Sequence, residues 1–162
     1  MRDPFHPLYA CAAVKHAEQV GRAVSVLSKS RKYANAPLAA GVQLVYSALA
    51  LRQCRIHADA DGRPGALIIW GWLSAHTMRS APRPAYALPM NEWNEGERLC
   101  IVEVLGARSD MGPVINDFLN RIAPHEMTIY TYPSFRTPQA VHFTRWKRSE
   151  RAALVAALEA QC

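Results

Sequence analysis

The chain has 162 residues, half of them apolar and 20% charged, which predicts one domain around one core and excludes a disordered, collagen-like or coiled-coil protein. Lys and Arg outnumber Asp and Glu by 19 to 13, a net charge of +6 that favours an acidic partner. The excess is not gathered into a basic tail, so nucleic acid is not the expected partner.

Residues 1–11 read as an irregular arm of that single domain. A helix is predicted over Ala12–Leu27, with Val20, Ala23, Val24 and Leu27 at i, i+3, i+4 and i+7. The polar, basic stretch Ser28–Asn35 then reads as a loop. Pro37 suits the first turn of a second helix, which runs to about Arg52 with Leu38, Val42, Val45 and Leu49 on one stripe. The period then changes: Cys54–Ala58 and Ala66–Leu73 read as strands joined by the turn Asp61-Gly62-Arg63-Pro64-Gly65. Ser74 is placed to cap a short helix or loop through Met78, and the prolines from Pro82 to Pro89 keep the next segment irregular. Arg98–Gly106 is a third strand, apolar on both faces except for Glu103. Asp110 is expected to cap a helix to Ile122 that turns Val114, Ile115, Phe118, Leu119 and Ile122 inward. Met127–Tyr132 and Ala140–Trp146 are two further strands, and Ser149 is expected to cap a terminal helix carrying Leu154, Val155 and Leu158.

A strand that feeds a helix and returns to a strand implies one parallel crossover in a mainly antiparallel sheet. The fold class is therefore α/β in the mixed α+β sense, with about five to six strands flanked by helices. That is the element order of the GNAT acyltransferase fold, short of one strand. Fold alone does not give function.

Cys11, Cys54, Cys100 and Cys162 are far apart and the histidines are scattered, so no zinc spacing exists and no metal is expected. Reduced thiols in the cytosol are the simpler reading for a chain of this size. The first residues lack the apolar core of a signal peptide, which predicts a cytoplasmic protein. The uncharged run Tyr33–Leu51 approaches the ~20 residues that span a bilayer. It contains Asn35, Pro37, Gly41, Gln43 and Ser47, so it reads as a buried helix and no membrane span is expected.

Glu103 is the most informative residue. Desolvation in mid-strand would raise its pKa and make it a base near neutral pH; equally, it could be a buried carboxylate paired with an arginine of the same sheet. The Ser28–Asn35 loop is either a solvated connection or a functional loop, the latter only if Tyr33 or Ser30 reaches the cleft of Glu103. Trp70 and Trp72 flank Gly71 and point the same way, either into the core or along an acyl channel. Asp110-Met111-Gly112 at a helix start could take a phosphate on backbone N–H groups, although capping explains Asp110 as well. His76 lies in a predicted loop near a central strand's end and is a candidate base. No nucleophile elbow, P-loop or dinucleotide fingerprint is present. The Gly-rich loop that holds the coenzyme A pyrophosphate in common GNAT enzymes is replaced by Ala107-Arg108-Ser109-Asp110-Met111-Gly112.

At these residues the sequence resembles the RTX toxin-activating lysine acyltransferases, typified by the hemolysin-activating enzyme, over about Gly21–Arg148. The best segment is Asn91-Glu-Trp-Asn-Glu-Gly-Glu-Arg-Leu-Cys-Ile-Val-Glu103, where the family has an acidic residue, Trp, Ser/Thr-Gly-Asp-Arg and a strand aspartate. Pro64–Ser74, the opening Gly21-Arg-Ala-Val-Ser-Val-Leu27 and the Asp110-Met-Gly112 turn resemble family segments too. The resemblance implies a GNAT-like fold, a cytoplasmic and often dimeric protein, and transfer of a fatty acyl group from acyl carrier protein to lysine ε-amines of a protoxin. The donor is then a thioester on the carrier's 4′-phosphopantetheine, with no permanently bound cofactor. An acidic carrier suits the charge of +6.

The family's catalytic histidine follows a serine in the loop after the first helix. Here that loop reads Ser30-Arg-Lys-Tyr33-Ala-Asn35-Ala-Pro37, with tyrosine in the histidine's place, while Glu103 stands for the strand aspartate. The resemblance thus implies a rebuilt pair: Glu103 as base toward a lysine of pKa ~10.4, Tyr33 of free pKa ~10 as acid toward the leaving thiolate, and Ser30 beside them. Asn35, Trp70, Trp72, His76, Arg108 and Gly112 are the expected substrate-binding residues, and Arg108, Arg121, Arg136 and Arg145 the expected carrier contacts. A ribosomally made peptide is an alternative acceptor. The competing readings are a GNAT enzyme using acyl-CoA and a small amine, and a catalytically dead carrier-binding or substrate-binding module.

Overall fold

A computed structural model describes residues 7–80, 88–132 and 143–160. Five α-helices and five strands follow one another in it: α1 (Pro7–Lys29), α2 (Leu38–Ala50), β1 (Cys54–Ala58), β2 (Pro64–Leu73), α3 (Ala75–Ser80), β3 (Arg98–Leu105), α4 (Met111–Asp117), β4 (Thr128–Thr131), β5 (Thr144–Lys147) and α5 (Arg151–Glu159). The strands form one sheet in the order β1-β2-β3-β4-β5. β3 and β4 are parallel, joined through α4, and every other pairing is antiparallel. This is the mixed α+β, GNAT-like arrangement that the element order predicts.

Both faces of the sheet are covered, so β2 and β3 read as continuous apolar runs. On one face Leu67, Ile69, Leu73, Cys100, Val102 and Leu105 pack under Ala23, Val26 and Leu27 of α1 and Leu44, Val45 and Ala48 of α2. On the other, Ala66, Ile68, Trp70, Leu99, Ile101 and Val104 meet Met111, Val114, Ile115 and Phe118 of the α4 region and Leu154 and Leu158 of α5.

Several boundaries differ from the sequence reading. α1 begins at Pro7, so residues 7–11 are helical rather than part of an irregular arm. The buried stripe of α2 is Gly41, Leu44, Val45 and Ala48, with Leu38 74% exposed; the helix is rotated so that Gly41 lies against Leu27 of α1. Asp110 makes no capping hydrogen bond. It belongs to a 3₁₀ turn, Arg108–Asp110, and its dihedrals are already helical, whereas an N-cap needs an extended backbone. The same holds for Ser149, inside the 3₁₀ turn Arg148–Glu150, where the Glu150 carboxylate accepts the Lys147 N–H at 2.7 Å. Ser74 does cap α3, accepting the Thr77 N–H at 3.0 Å. α4 runs on into a π turn over Phe118–Ile122, whose end is closed by the Arg148 guanidinium on the Leu119 and Ala123 carbonyls. The start of the predicted fifth strand (140–142) and most of the Pro82–Pro89 segment lie outside the described residues. No described helix is long and apolar enough to cross a membrane.

On the α4 face Asp117 binds Arg55 at 2.7 Å and Arg121 at 3.0 Å, with the His57 ring 3.8 Å away. Burial lowers the pKa of His57 below its ordinary 6.5; Asp117 opposes that shift and Arg55 adds to it. A lowered histidine pKa means that the folded state resists protonation more than the unfolded chain, so stability falls as pH drops through and below 6.5. Melting temperature followed between about pH 5 and 7.5 should rise more steeply with pH in the native chain than in His57→Asn.

Candidate active site

Glu103 is 4% exposed and its position depends on a fault in the sheet. The β2–β3 register shifts so that Ile69 faces Glu103 while Trp70 faces Ile101, which leaves Val102 as an extra residue. Alternation counted from Leu99 and Ile101 would send Glu103 to the α4 face. With the bulge it shares the α1/α2 face with Cys100, Val102 and Leu105, and there it meets the loop between those helices. Among the described residues β3 pairs with β4 at Cys100↔Tyr130 and Ile101↔Thr131, with the Tyr132 N–H on the Ile101 carbonyl.

The loop is a pair of tight turns. Ser30 takes the Tyr33 N–H on its carbonyl at 3.0 Å and the Lys32 N–H on its hydroxyl at 3.3 Å. This winding brings two consecutive side chains, Lys32 and Tyr33, onto the carboxylate. Lys32 Nζ donates to Glu103 Oε1 at 2.8 Å and Oε2 at 2.6 Å, and the Tyr33 hydroxyl donates to Oε2 at 2.7 Å. The Val104 N–H completes the set on Oε1 at 3.2 Å. The partner of the buried carboxylate is thus a lysine from the loop, not an arginine of the sheet.

Beside Tyr33 an apolar cavity of about 260 Å³ opens between α1, the loop and α2, lined by Val24, Leu27, Ala36, Pro37, Leu38, Gly41 and Val42. An added Cβ on Gly41 would come 3.8 Å from the Tyr33 ring, so the glycine contributes to this space. Burial pushes the Cys54 thiol up to about 12 and raises that of Cys100 well above its usual value. At neutral pH both remain thiols, which are poor nucleophiles.

Of the residues singled out in the sequence, Glu103, Tyr33 and Ser30 come together; Asn35 is exposed on the same loop. Trp70 and Trp72 do point the same way, but onto the α4 face away from Glu103, where Trp70 packs against Phe118 at 5.6 Å. His76 is exposed on α3. Arg108 is exposed in the turn before α4 and Gly112 is the second residue of that helix, both at the C-terminal end of β3. Lys32 went unread because nothing in a basic loop separates it from Arg31 or Lys29; its place directly before Tyr33 is the only clue the sequence offers.

The segment Asn91–Arg98 has a structural task. Trp93 is buried, its indole N–H on the Leu88 carbonyl at 3.2 Å. Beyond the first residue of β1, the Trp93 carbonyl and the Gly96 N–H take the backbone of Trp72 at 2.8 and 3.0 Å, and Gln53 anchors Asn94 at 2.9 Å. The edge of β2 is thereby sealed past the start of β1.

In comparison with known proteins, a model described as the RTX toxin acyltransferase family matches residues 12–147. A search of curated proteins found no match.

Proposed function

Because this chain belongs to the RTX toxin acyltransferase family, we propose that it moves a fatty acyl group from the phosphopantetheine thioester of an acyl carrier protein to a lysine ε-amine of a protoxin or ribosomal peptide. The observation that carries this reading is the convergence of Lys32 and Tyr33 on the buried Glu103. A primary ammonium fits against the carboxylate, and a phenol hydroxyl stands next to it.

An acceptor lysine enters as an ammonium and must lose a proton before it can attack. Glu103 takes that proton when the acceptor amine comes alongside or displaces Lys32. The amine then forms a C–N bond to the thioester carbonyl, whose developing oxyanion is met by a backbone N–H group of β3. As the C–S bond breaks, Tyr33 gives its proton to the thiolate and regains one from the new amide nitrogen. With Cys54 and Cys100 held as thiols, direct attack by the amine needs no cysteine relay from either. The apolar cavity beside Tyr33 would receive the acyl tail.

The carrier is proposed to dock through exposed arginines. Arg108 and Arg145 are exposed, Arg121 is exposed but tied to Asp117, and Arg136 lies outside the described residues. Exposed charges steer encounter and are screened by salt. Intact-mass analysis of a lysine acceptor should show transfer from acyl-loaded carrier that falls steeply over a salt series, with acyl-CoA a poor donor. Equal use of both donors without a salt effect would favour an acyl-CoA enzyme instead. Carrier binding with no transfer to any acceptor would leave only the binding role.

A further inference from the structure

We propose that Lys32 is itself an acyl acceptor, so that the protein acylates its own active-site lysine; the inference rests on the acyl-transfer reading above. The chemistry that makes an incoming lysine reactive is already assembled around this one. Its Nζ is 2.6 Å from Glu103 Oε2, and the Tyr33 hydroxyl binds that same oxygen at 2.7 Å. A thioester placed for attack by an amine at Glu103 is therefore also placed for attack by Lys32.

Composition sharpens the point. Arginine carries most of the positive charge, and the lysines are only Lys15, Lys29, Lys32 and Lys147. Lys15, Lys29 and Lys147 are exposed. Lys32 alone among them touches a buried carboxylate. Its side chain is 22% exposed, which leaves an approach from solvent.

The step balances as follows. The Lys32 ammonium gives one proton to Glu103, and the free amine forms a C–N bond to the thioester carbon. The C–S bond breaks, and the thiolate takes a proton from Tyr33, which recovers the second proton lost by nitrogen. The products are an Nε-acyl-lysine, the free carrier thiol and one proton released from Glu103 to solvent. The new amide is uncharged, and its tail can lie in the cavity beside Tyr33, lined by Val24, Leu27, Gly41 and Val42. Self-acylation therefore closes the site to other acceptors.

The test is incubation of the purified chain with octanoyl-loaded or palmitoyl-loaded acyl carrier protein and no acceptor, followed by intact mass and peptide mapping. One acyl increment on Lys32 is expected, absent in Lys32→Arg and at least tenfold slower in Glu103→Gln. A parallel reaction with a lysine acceptor separates the two ideas. Acylated acceptor with unmodified Lys32 would overturn the inference and leave the function standing. Acyl groups spread over all the lysines and undiminished in Glu103→Gln would mean unassisted chemistry and overturn it too. No transfer to any lysine would overturn the acyl-transfer reading and the inference with it.

Discussion

Replacing Glu103 with Gln is expected to slow acyl transfer by on the order of 10²–10⁴-fold. Glutamine keeps the size of the side chain and one oxygen to accept the Tyr33 hydroxyl or the Val104 N–H, but it cannot take a proton. The substitution also leaves the Lys32 ammonium without its counter-charge. A fully buried pair broken in this way costs about 3–5 kcal/mol, and the 22% exposure of Lys32 lets water recover part of that. Single-turnover rates must therefore be read beside melting curves: a folded, inactive Gln variant supports the base role. Tyr33→Phe serves as the companion. It removes a hydroxyl bonded to a carboxylate, so a stability loss of about 1.5 kcal/mol is expected along with a rate loss of roughly 10–100-fold. Full activity in Tyr33→Phe would remove the acid role and pass it to a bound water.

Gly96→Ala should be strongly destabilising, although it adds a single methyl group. A Cβ at this position would fall on the Leu73 carbonyl and the Ser74 amide, backbone atoms that cannot rotate away. Relief requires the segment to lift off β2, which breaks the Gly96–Trp72 hydrogen bond and loosens the buried Trp93. Overpacking of this kind costs about 1–3 kcal/mol and occasionally more. With the lost bond, about 3 kcal/mol is expected, or roughly 6–12 °C in Tm. Thermal unfolding of Gly96→Ala beside Gly112→Ala makes the comparison direct, because a Cβ on Gly112 meets nothing within 4 Å.

The two strands that build the centre of the fold were legible because β2 and β3 are apolar along their whole length. That same property hid which face each residue takes, since alternation carries no signal when both faces are buried. Trp70 and Trp72 could therefore be read as sharing a side without its being clear that the side is the α4 one. Glu103 stood out as the lone carboxylate, but the bulge that turns it toward the loop is a matter of register between β2 and β3, and no single strand encodes it. Lys32 was lost for a different reason. A basic loop reads as solvated, and only the turn made by Ser30 reveals that one cation folds inward. At Asp110 and Ser149 the residue types that favour caps were present, yet each sits inside a 3₁₀ turn that leads into the helix.

The sheet also works as a partition. Glu103, the loop and the apolar cavity lie on one side of it, and the packing of α4 and α5 lies on the other. Substitutions that share no neighbours tend to add rather than interact. A lineage can therefore vary Val24 or Val42, which line the cavity without belonging to the buried core, and with them the substrates it accepts, while Phe118, Leu154 and Leu158 continue to hold the domain together. New specificity and continued foldability are decided by different sets of residues, so one can drift without endangering the other.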